Sequence, residues 1–254
     1  MTDFSLHGKT ALVTGASGGL GLHFAHVLAE NGARVVVAAR RDDKITKAAD
    51  DIRSNGGDAL AVVMDVSDEN SVNQAFATVE NEFGAVDIIV NNAGIATNGA
   101  AVDVSLDDFR RVMATNVDGA FLVSRRAADT WIKEKKAGNI INIGSILGIR
   151  TAGGVLPYAV SKSGLHQMTK VLALEWARHR IRVNAIAPGY IETDINRDYL
   201  NSLEGEKLIK RIPVRRPGDM ADLDGPLLLL ASDLSLYMTG SVVAVDGGHL
   251  VNTL

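Results

Sequence analysis

Thr10-Ala11-Leu12-Val13-Thr14-Gly15-Ala16-Ser17-Gly18-Gly19-Leu20-Gly21 holds the key to the chain's architecture. A short apolar run, Thr10–Val13, enters a glycine-rich turn and leaves it on a segment of helical period. Leu20, Phe24, Val27 and Leu28 fall at i, i+4, i+7 and i+8, and Asn31-Gly32 supplies a helix stop. Glycines between a strand and a helix let backbone come close, so the helix N-terminus can face a diphosphate. The spacing, Gly15-x-x-x-Gly19-x-Gly21, is looser than Gly-x-Gly-x-x-Gly, and such a turn also occurs without a ligand.

Outward from this turn the same alternation repeats. Apolar runs recur at Ala33–Ala39, Ala59–Met64, Val86–Val90, Ile140–Ile143, Ile181–Ile186 and Val242–Val245. They lack a polar–apolar alternation, as strands do when both faces of a parallel sheet are covered. Amphipathic segments lie between them. One carries Val72, Phe76, Val79 and Phe83, with Ser67 expected as its N-cap. Strand, helix, strand is the pattern of a doubly wound α/β parallel sheet, here of about seven strands. No linker or composition break interrupts it, so residues 1–254 read as a single domain. Residues 190–217 break the rhythm with charges and two prolines, Pro213 and Pro217. Their place beyond the sixth strand's carboxyl end, where ligands bind in such sheets, predicts a substrate lid rather than a plain surface insertion.

Composition narrows the function. The 26 Lys and Arg against 30 Asp and Glu leave no basic excess for a nucleic-acid reader. The absence of cysteine excludes disulfide scaffolds, thiol catalysis and cysteine-ligated metals. The N-terminus lacks a secretory pattern and no uncharged apolar run reaches a bilayer-spanning length, so a cytoplasmic protein without membrane contact is expected. The six histidines form no ligand set: His23 and His26 lack a nearby partner, and His166 reads as a packed helix or interface residue. No metal is expected. Lys133-Glu134-Lys135-Lys136 reads as a solvated helix end, and Leu227–Leu230 as core or subunit interface.

Chemistry is carried by Tyr158-Ala159-Val160-Ser161-Lys162, which places a phenol and an ammonium on one helix face. A phenol near its ordinary pKa exchanges protons poorly at neutral pH, and a neighbouring positive charge favours phenolate. Ser145 ends the fifth apolar strand, where a hydroxyl could donate to a substrate oxygen.

Taken together, Thr14–Gly21, Asp65-Val66, Asn91-Asn92-Ala93-Gly94, Asn116, Ser145, Tyr158, Lys162 and Pro188-Gly189 occur in order, most near strand ends. This set resembles the short-chain dehydrogenase/reductase family over almost the whole chain. The resemblance implies a Rossmann fold and NAD(P)(H)-dependent interconversion of a ketone and a secondary alcohol. Tyr158 would be the acid/base and Ser145 would polarise the carbonyl. Lys162 would lower the tyrosine pKa and hold the nicotinamide ribose, and Asn116 would maintain a water-linked proton path to it. Gly15, Ser17, Gly19, Leu20 and Gly21 would cradle the diphosphate, with Asp65 and Val66 at the adenine. Asn92, Ala93 and Gly94 would line the cleft, and Pro188, Gly189, Ile191 and Thr193 would cradle the nicotinamide.

Cofactor choice turns on the end of the second strand, where an acid would repel a 2′-phosphate. The sequence has Ala39-Arg40-Arg41 there, which favours NADP, with NAD possible if both arginines merely start the next helix. Ile95, Leu147, Val155, Leu156, Tyr190, Ile195 and Tyr199 form a largely apolar candidate pocket, suited to a partly hydrophobic small-molecule carbonyl such as a 3-oxoacyl compound. A polyol or sugar dehydrogenase is the alternative, and a non-catalytic cofactor-binding regulator is a third, disfavoured by the intact catalytic set. The family also implies a homotetramer, built on the Val242–Val245 edge and on long helices.

Overall fold

The computed structural model describes residues 4–193 and 196–252. Seven parallel strands form one sheet: β1 (Thr10–Thr14), β2 (Arg34–Ala39), β3 (Asp58–Val63), β4 (Ile88–Asn91), β5 (Gly138–Ile143), β6 (Ile181–Pro188) and β7 (Val242–Val245). Their order is β3-β2-β1-β4-β5-β6-β7, so the winding reverses between β1 and β4. In that crevice Val13 lies in register with Val90, and the carboxyl ends of both strands open toward a ligand. The doubly wound α/β sheet expected from the apolar runs is thus the observed one.

The uniform apolarity of the strands has a direct cause: alternate residues enter two separate cores. On one face Val13, Val37, Val90 and Ile141 pack with Phe24 and Leu28 of α1 (Gly19–Glu30) and Ile45 and Ile52 of α2 (Asp42–Ser54). On the other, Leu12, Val36, Ile89 and Ile140 meet Val72, Phe76 and Val79 of α3 (Glu69–Glu82). The N-cap of α3 is Asp68 rather than Ser67, its carboxylate accepting from the Asn70 amide at 3.0 Å. Ser67 lies one residue earlier, with its hydroxyl and amide both donating to Asp65, at 2.6 and 3.0 Å.

Next come α4 (Leu106–Met113) and α5 (Gly119–Glu134), joined by a wider π-helical turn at Ala114–Asp118. The long α6 (Leu156–Trp176) then packs across β5 and β6. Within residues 190–217 lie two short helices, α7 (Arg197–Leu200) and α8 (Leu203–Ile209). The segment is pinned at its base, where the Gly218 amide donates to the Tyr190 carbonyl at 2.9 Å. A cavity of about 200 Å³ lies beneath it, between Tyr190, Ile212, Val214 and Val245. After it, α9 (Asp224–Ala231) buries Leu227 and Leu230 in the first core. His23, expected to lack a partner, meets Asp224 of this helix at 2.6 Å, a contact across 201 residues of chain.

Candidate active site

The glycine turn is clamped from behind by Thr14. Its hydroxyl oxygen accepts from the amides of Asn92 (3.1 Å) and Ala93 (3.0 Å), tying β1 to the loop after β4. Asn92 returns the contact through Nδ2, which donates to the Thr14 carbonyl at 3.0 Å. Gly15 is required by this approach, since a Cβ there would lie 2.8 Å from Ala93 Cα, and its φ is +66°. Gly18 and Gly19, by contrast, face open space, and no side chain caps the start of α1. The first amides of that helix are therefore free to bind an anion, with the dipole favouring negative charge. This cradle fits a dinucleotide diphosphate.

At the rim, Arg41 Nη2 donates to Ser17 Oγ at 2.8 Å, and Arg40 Nη1 stands 3.9 Å from Asp65 Oδ2. The Ser67 hydroxyl and amide, together with Arg40, hold the Asp65 carboxyl below its usual range against the opposing effect of burial. Val66 is buried where α5 begins, too close to Gly119 for that residue to carry a side chain. Gly94 borders Asn116 and Lys162: a Cβ there would lie 3.4 Å from Asn116 Oδ1 and 3.5 Å from Lys162 Nζ. Pro188 ends β6, and the Gly189 amide donates to the Val245 carbonyl at 2.9 Å. Ile191 is buried, and the Thr193 amide donates to Asn196 Oδ1 at 2.8 Å.

The π-helical turn carries Asn116 inward. Its Nδ2 donates to the Ile95 carbonyl and to Ser161 Oγ, both at 2.9 Å, and its Oδ1 accepts from the Ile95 amide at 2.8 Å. Ser161 in turn donates to the Tyr158 carbonyl at 2.7 Å. Neither the wide turn nor Ser161 was legible as part of the site, because both act through contacts distant in the chain.

Ser145, Tyr158 and Lys162 converge at the carboxyl end of β5. The Ser145 oxygen accepts from the Leu147 amide at 3.1 Å, and the Ser145 and Tyr158 side chains share a hydrogen bond. Lys162 Nζ donates to the Ile143 carbonyl at 2.7 Å and lies 5.6 Å from the centre of the Tyr158 ring. Burial brings the lysine pKa down to about 8. The expected lowering of the Tyr158 pKa is not what this arrangement produces. Burial pushes the phenol up, opposed by Ser145 and reinforced by Tyr190.

Of the pocket residues expected from sequence, Ile95 is tied to Asn116, Leu147 to Ser145, and Tyr190 faces Tyr158 electrostatically with Tyr199 beyond it. Val155 precedes α6, and Leu156 and Tyr199 are exposed. Ile195 lies outside the described residues. Polar groups absent from that apolar set also reach the entrance. The Tyr190 ring is 5.7 Å from His249, whose carbonyl accepts from Arg150 Nη1 at 2.7 Å. Among the described residues, buried His249 Nδ1 and Thr97 Oγ1 have no hydrogen-bond partner. No signal local to residues 150 or 249 announces this pairing. No group of histidine and carboxylate side chains able to hold a metal occurs among the described residues.

A family model described as enoyl-(acyl carrier protein) reductase matches residues 15–249. A 3-oxoacyl-(acyl-carrier-protein) reductase from Aquifex aeolicus is 36% identical, with 97% of this chain and 99% of that protein covered. The fold also superposes on a gluconate 5-dehydrogenase from Burkholderia cenocepacia in complex with NADP and tartrate, at a TM-score of 0.94, 36% identity and 98% coverage of both chains. A short-chain type dehydrogenase/reductase from Mycobacterium marinum is 40% identical over 97% of each chain, with a TM-score of 0.91. A glycine cradle, a seven-stranded doubly wound sheet and a Ser–Tyr–Lys cluster at the fifth strand's end agree with these likenesses: the chain belongs to the short-chain dehydrogenase/reductase family of oxidoreductases.

Proposed function

We propose that this protein interconverts a ketone and a secondary alcohol with NADP(H), with Ser145, Tyr158, Lys162 and Asn116 as its catalytic residues. The observation that carries the reading is the convergence of Ser145, Tyr158 and Lys162 at the carboxyl end of β5, with Lys162 Nζ 5.6 Å from the centre of the Tyr158 ring and bonded to the Ile143 carbonyl. When bound, the nicotinamide supplies or accepts the hydride. The protein's own work is to hold the carbonyl and move the proton. Because the Ser145 oxygen accepts from Leu147, its hydroxyl proton is left to donate, toward Tyr158 or toward a substrate oxygen. Tyr158, kept protonated through the neutral range by burial, gives its proton to the developing alkoxide. Lys162 would hold the nicotinamide ribose, and Asn116 the water-linked path that returns the proton.

Gly15, Ser17, Gly19, Leu20 and Gly21 would hold the diphosphate. Asp65 and Val66 would lie at the adenine, Asn92, Ala93 and Gly94 along the cleft, and Pro188, Gly189, Ile191 and Thr193 around the nicotinamide. Arg40 and Arg41 supply guanidinium groups beside the glycine turn, where no acid at position 39 repels a 2′-phosphate. Arg40→Asp should therefore weaken NADPH binding about tenfold or more relative to NADH, as expected for loss of a charge-assisted hydrogen bond. Kinetics with both cofactors check this. Wild-type preference for NADH, with neither affinity changed by the substitution, would refute the role of Arg40.

A carbonyl or 3-oxoacyl reductase is the leading substrate assignment, supported by the apolar Ile95, Leu147, Val155 and Leu156. A sugar-acid or polyol dehydrogenase is the second reading, favoured by the polar groups of Arg150 and His249 beside Tyr190. A panel of acetoacetyl thioester, ethyl acetoacetate, 5-oxogluconate and gluconate, followed by nicotinamide absorbance, separates them. Faster turnover of the acetoacetyl compounds supports the first. Gluconate or its ketone far ahead of both supports the second, and no turnover of any ketone or alcohol sinks the proposed reaction.

The single domain would carry residues 190–217 as a lid over the pocket, a role supported by the cavity beneath them. The protein would act as a cytoplasmic homotetramer. Edge strand β7 is incompletely covered, and α5 and α6 expose Phe121, Val171 and Leu174. No helix among the described residues is long and apolar enough to cross a membrane. Light scattering should give four times 26.9 kDa, and a clean monomer at micromolar concentration would contradict the assembly.

A further inference from the structure

The turn that carries Ser145 is wrapped around a buried imidazole. His166 lies on α6 one turn beyond Lys162 and is 5% exposed. The Ser145 amide donates toward His166 Nε2 at 3.5 Å, and Gly148 packs against the Nδ1 edge of the ring. The residues on both sides of Ser145 leave room for the ring only because they lack side chains. A methyl group at Gly144 would overlap Nε2, and one at Gly148 would lie 2.8 Å from Nδ1. The Gly144–Gly148 turn and the imidazole are thus shaped to each other.

We propose that His166 is a positioning residue: it braces the Gly144–Gly148 turn from within and so aims the Ser145 hydroxyl at the reacting oxygen. The inference rests on the catalytic reading of Ser145. Its physical content is a matched donor and acceptor. Nε2 must stay unprotonated to accept from the Ser145 amide, which leaves the ring proton on Nδ1. Burial and the charge of Lys162 favour this neutral form, bringing the imidazole pKa down to about 4. A leucine would fill similar space but leave the Ser145 amide without its partner. The Ser145 hydroxyl then loses one of the two anchors on its own residue, since the Leu147 contact depends on the same turn. An error of an ångström in a positioning group is enough to cost large factors in rate.

The test compares His166→Leu, His166→Asn and His166→Gln with Ser145→Ala and the double variant His166→Leu/Ser145→Ala. The probes are NADPH and the faster of acetoacetyl thioester and 5-oxogluconate. Glutamine places an amide near Nε2, whereas asparagine reaches only the Gly148 side of the ring. Leucine and asparagine should lower kcat about 10- to 100-fold, the scale of a misplaced catalytic group, with NADPH affinity unchanged. Glutamine should restore kcat toward the wild-type value. In the Ser145→Ala background, the leucine substitution should have no further effect. Should the leucine variant not fold, the asparagine–glutamine pair carries the same comparison. Wild-type kcat in the asparagine variant, or equal losses in asparagine and glutamine, would overturn the inference while leaving an inactive Ser145→Ala to support the catalytic reading. Wild-type kcat in Ser145→Ala would instead overturn that reading, and the inference with it.

Discussion

Tyr158→Phe should bind NADPH as the wild type does and lose about 10²- to 10⁴-fold in kcat, the range attributed to a positioned general acid. The substitution keeps the ring, 5.6 Å from Lys162 Nζ at its centre, and removes only the hydroxyl that bonds Ser145. Loss of turnover with retained binding isolates the proton from the packing. The wild type should also show a sign in pH. Burial pushes the phenol up, so reduction, which uses the protonated form, is supported through neutral pH. Alcohol oxidation needs a proton acceptor and should gain as pH rises toward the phenol's titration. Comparable turnover in the phenylalanine variant would assign the acid/base role elsewhere.

Lys162→Met should also lose about 10²-fold or more in turnover, because it removes the group proposed to hold the nicotinamide ribose in place for hydride transfer. Here activity and stability should move in opposite directions. The buried ammonium has a folded pKa of about 8 against an ordinary value of 10.5, so below pH 8 its charge is carried at a cost to folding. Between those two values the unfolded chain binds more protons than the folded one, and stability rises with pH. The depressed pKa corresponds to roughly 3 kcal/mol for a buried group. Methionine removes that dependence. Denaturant melts without cofactor should show the wild type gaining on the variant as pH rises from 8 to 10.5. A constant difference across that interval would mean that Lys162 is not desolvated in the folded protein.

Strand positions and the order of helices were readable from local pattern. Val35, Val36 and Val37 are apolar in succession because consecutive side chains enter cores on opposite faces, and that requirement is written residue by residue. The glycine turn was equally readable, since Gly15 and Gly21 leave space that no other residue type can supply. Local competition was harder to see. Ser67 and Asp68 are both good caps by residue type, and the structure uses Asp68 while Ser67 turns back to Asp65.

The site divides along the same line. Tyr158 and Lys162 share a helix face by spacing alone, and Ser145 stands at a strand end that the apolar run marks. By itself, then, the sequence determined the doubly wound sheet and the family, and it singled out the residues proposed for the reaction. Only the tertiary structure decided that burial pushes the Tyr158 phenol up, and that Thr14 clamps the glycine turn to the loop after β4. It also decided that His166 fills the Ser145 turn and that Arg150 reaches the His249 carbonyl across 99 residues. The physical reason is range. Secondary structure follows from periodicity over a few residues, whereas desolvation and side-chain pairing depend on which distant segments the closed sheet brings within a few ångströms.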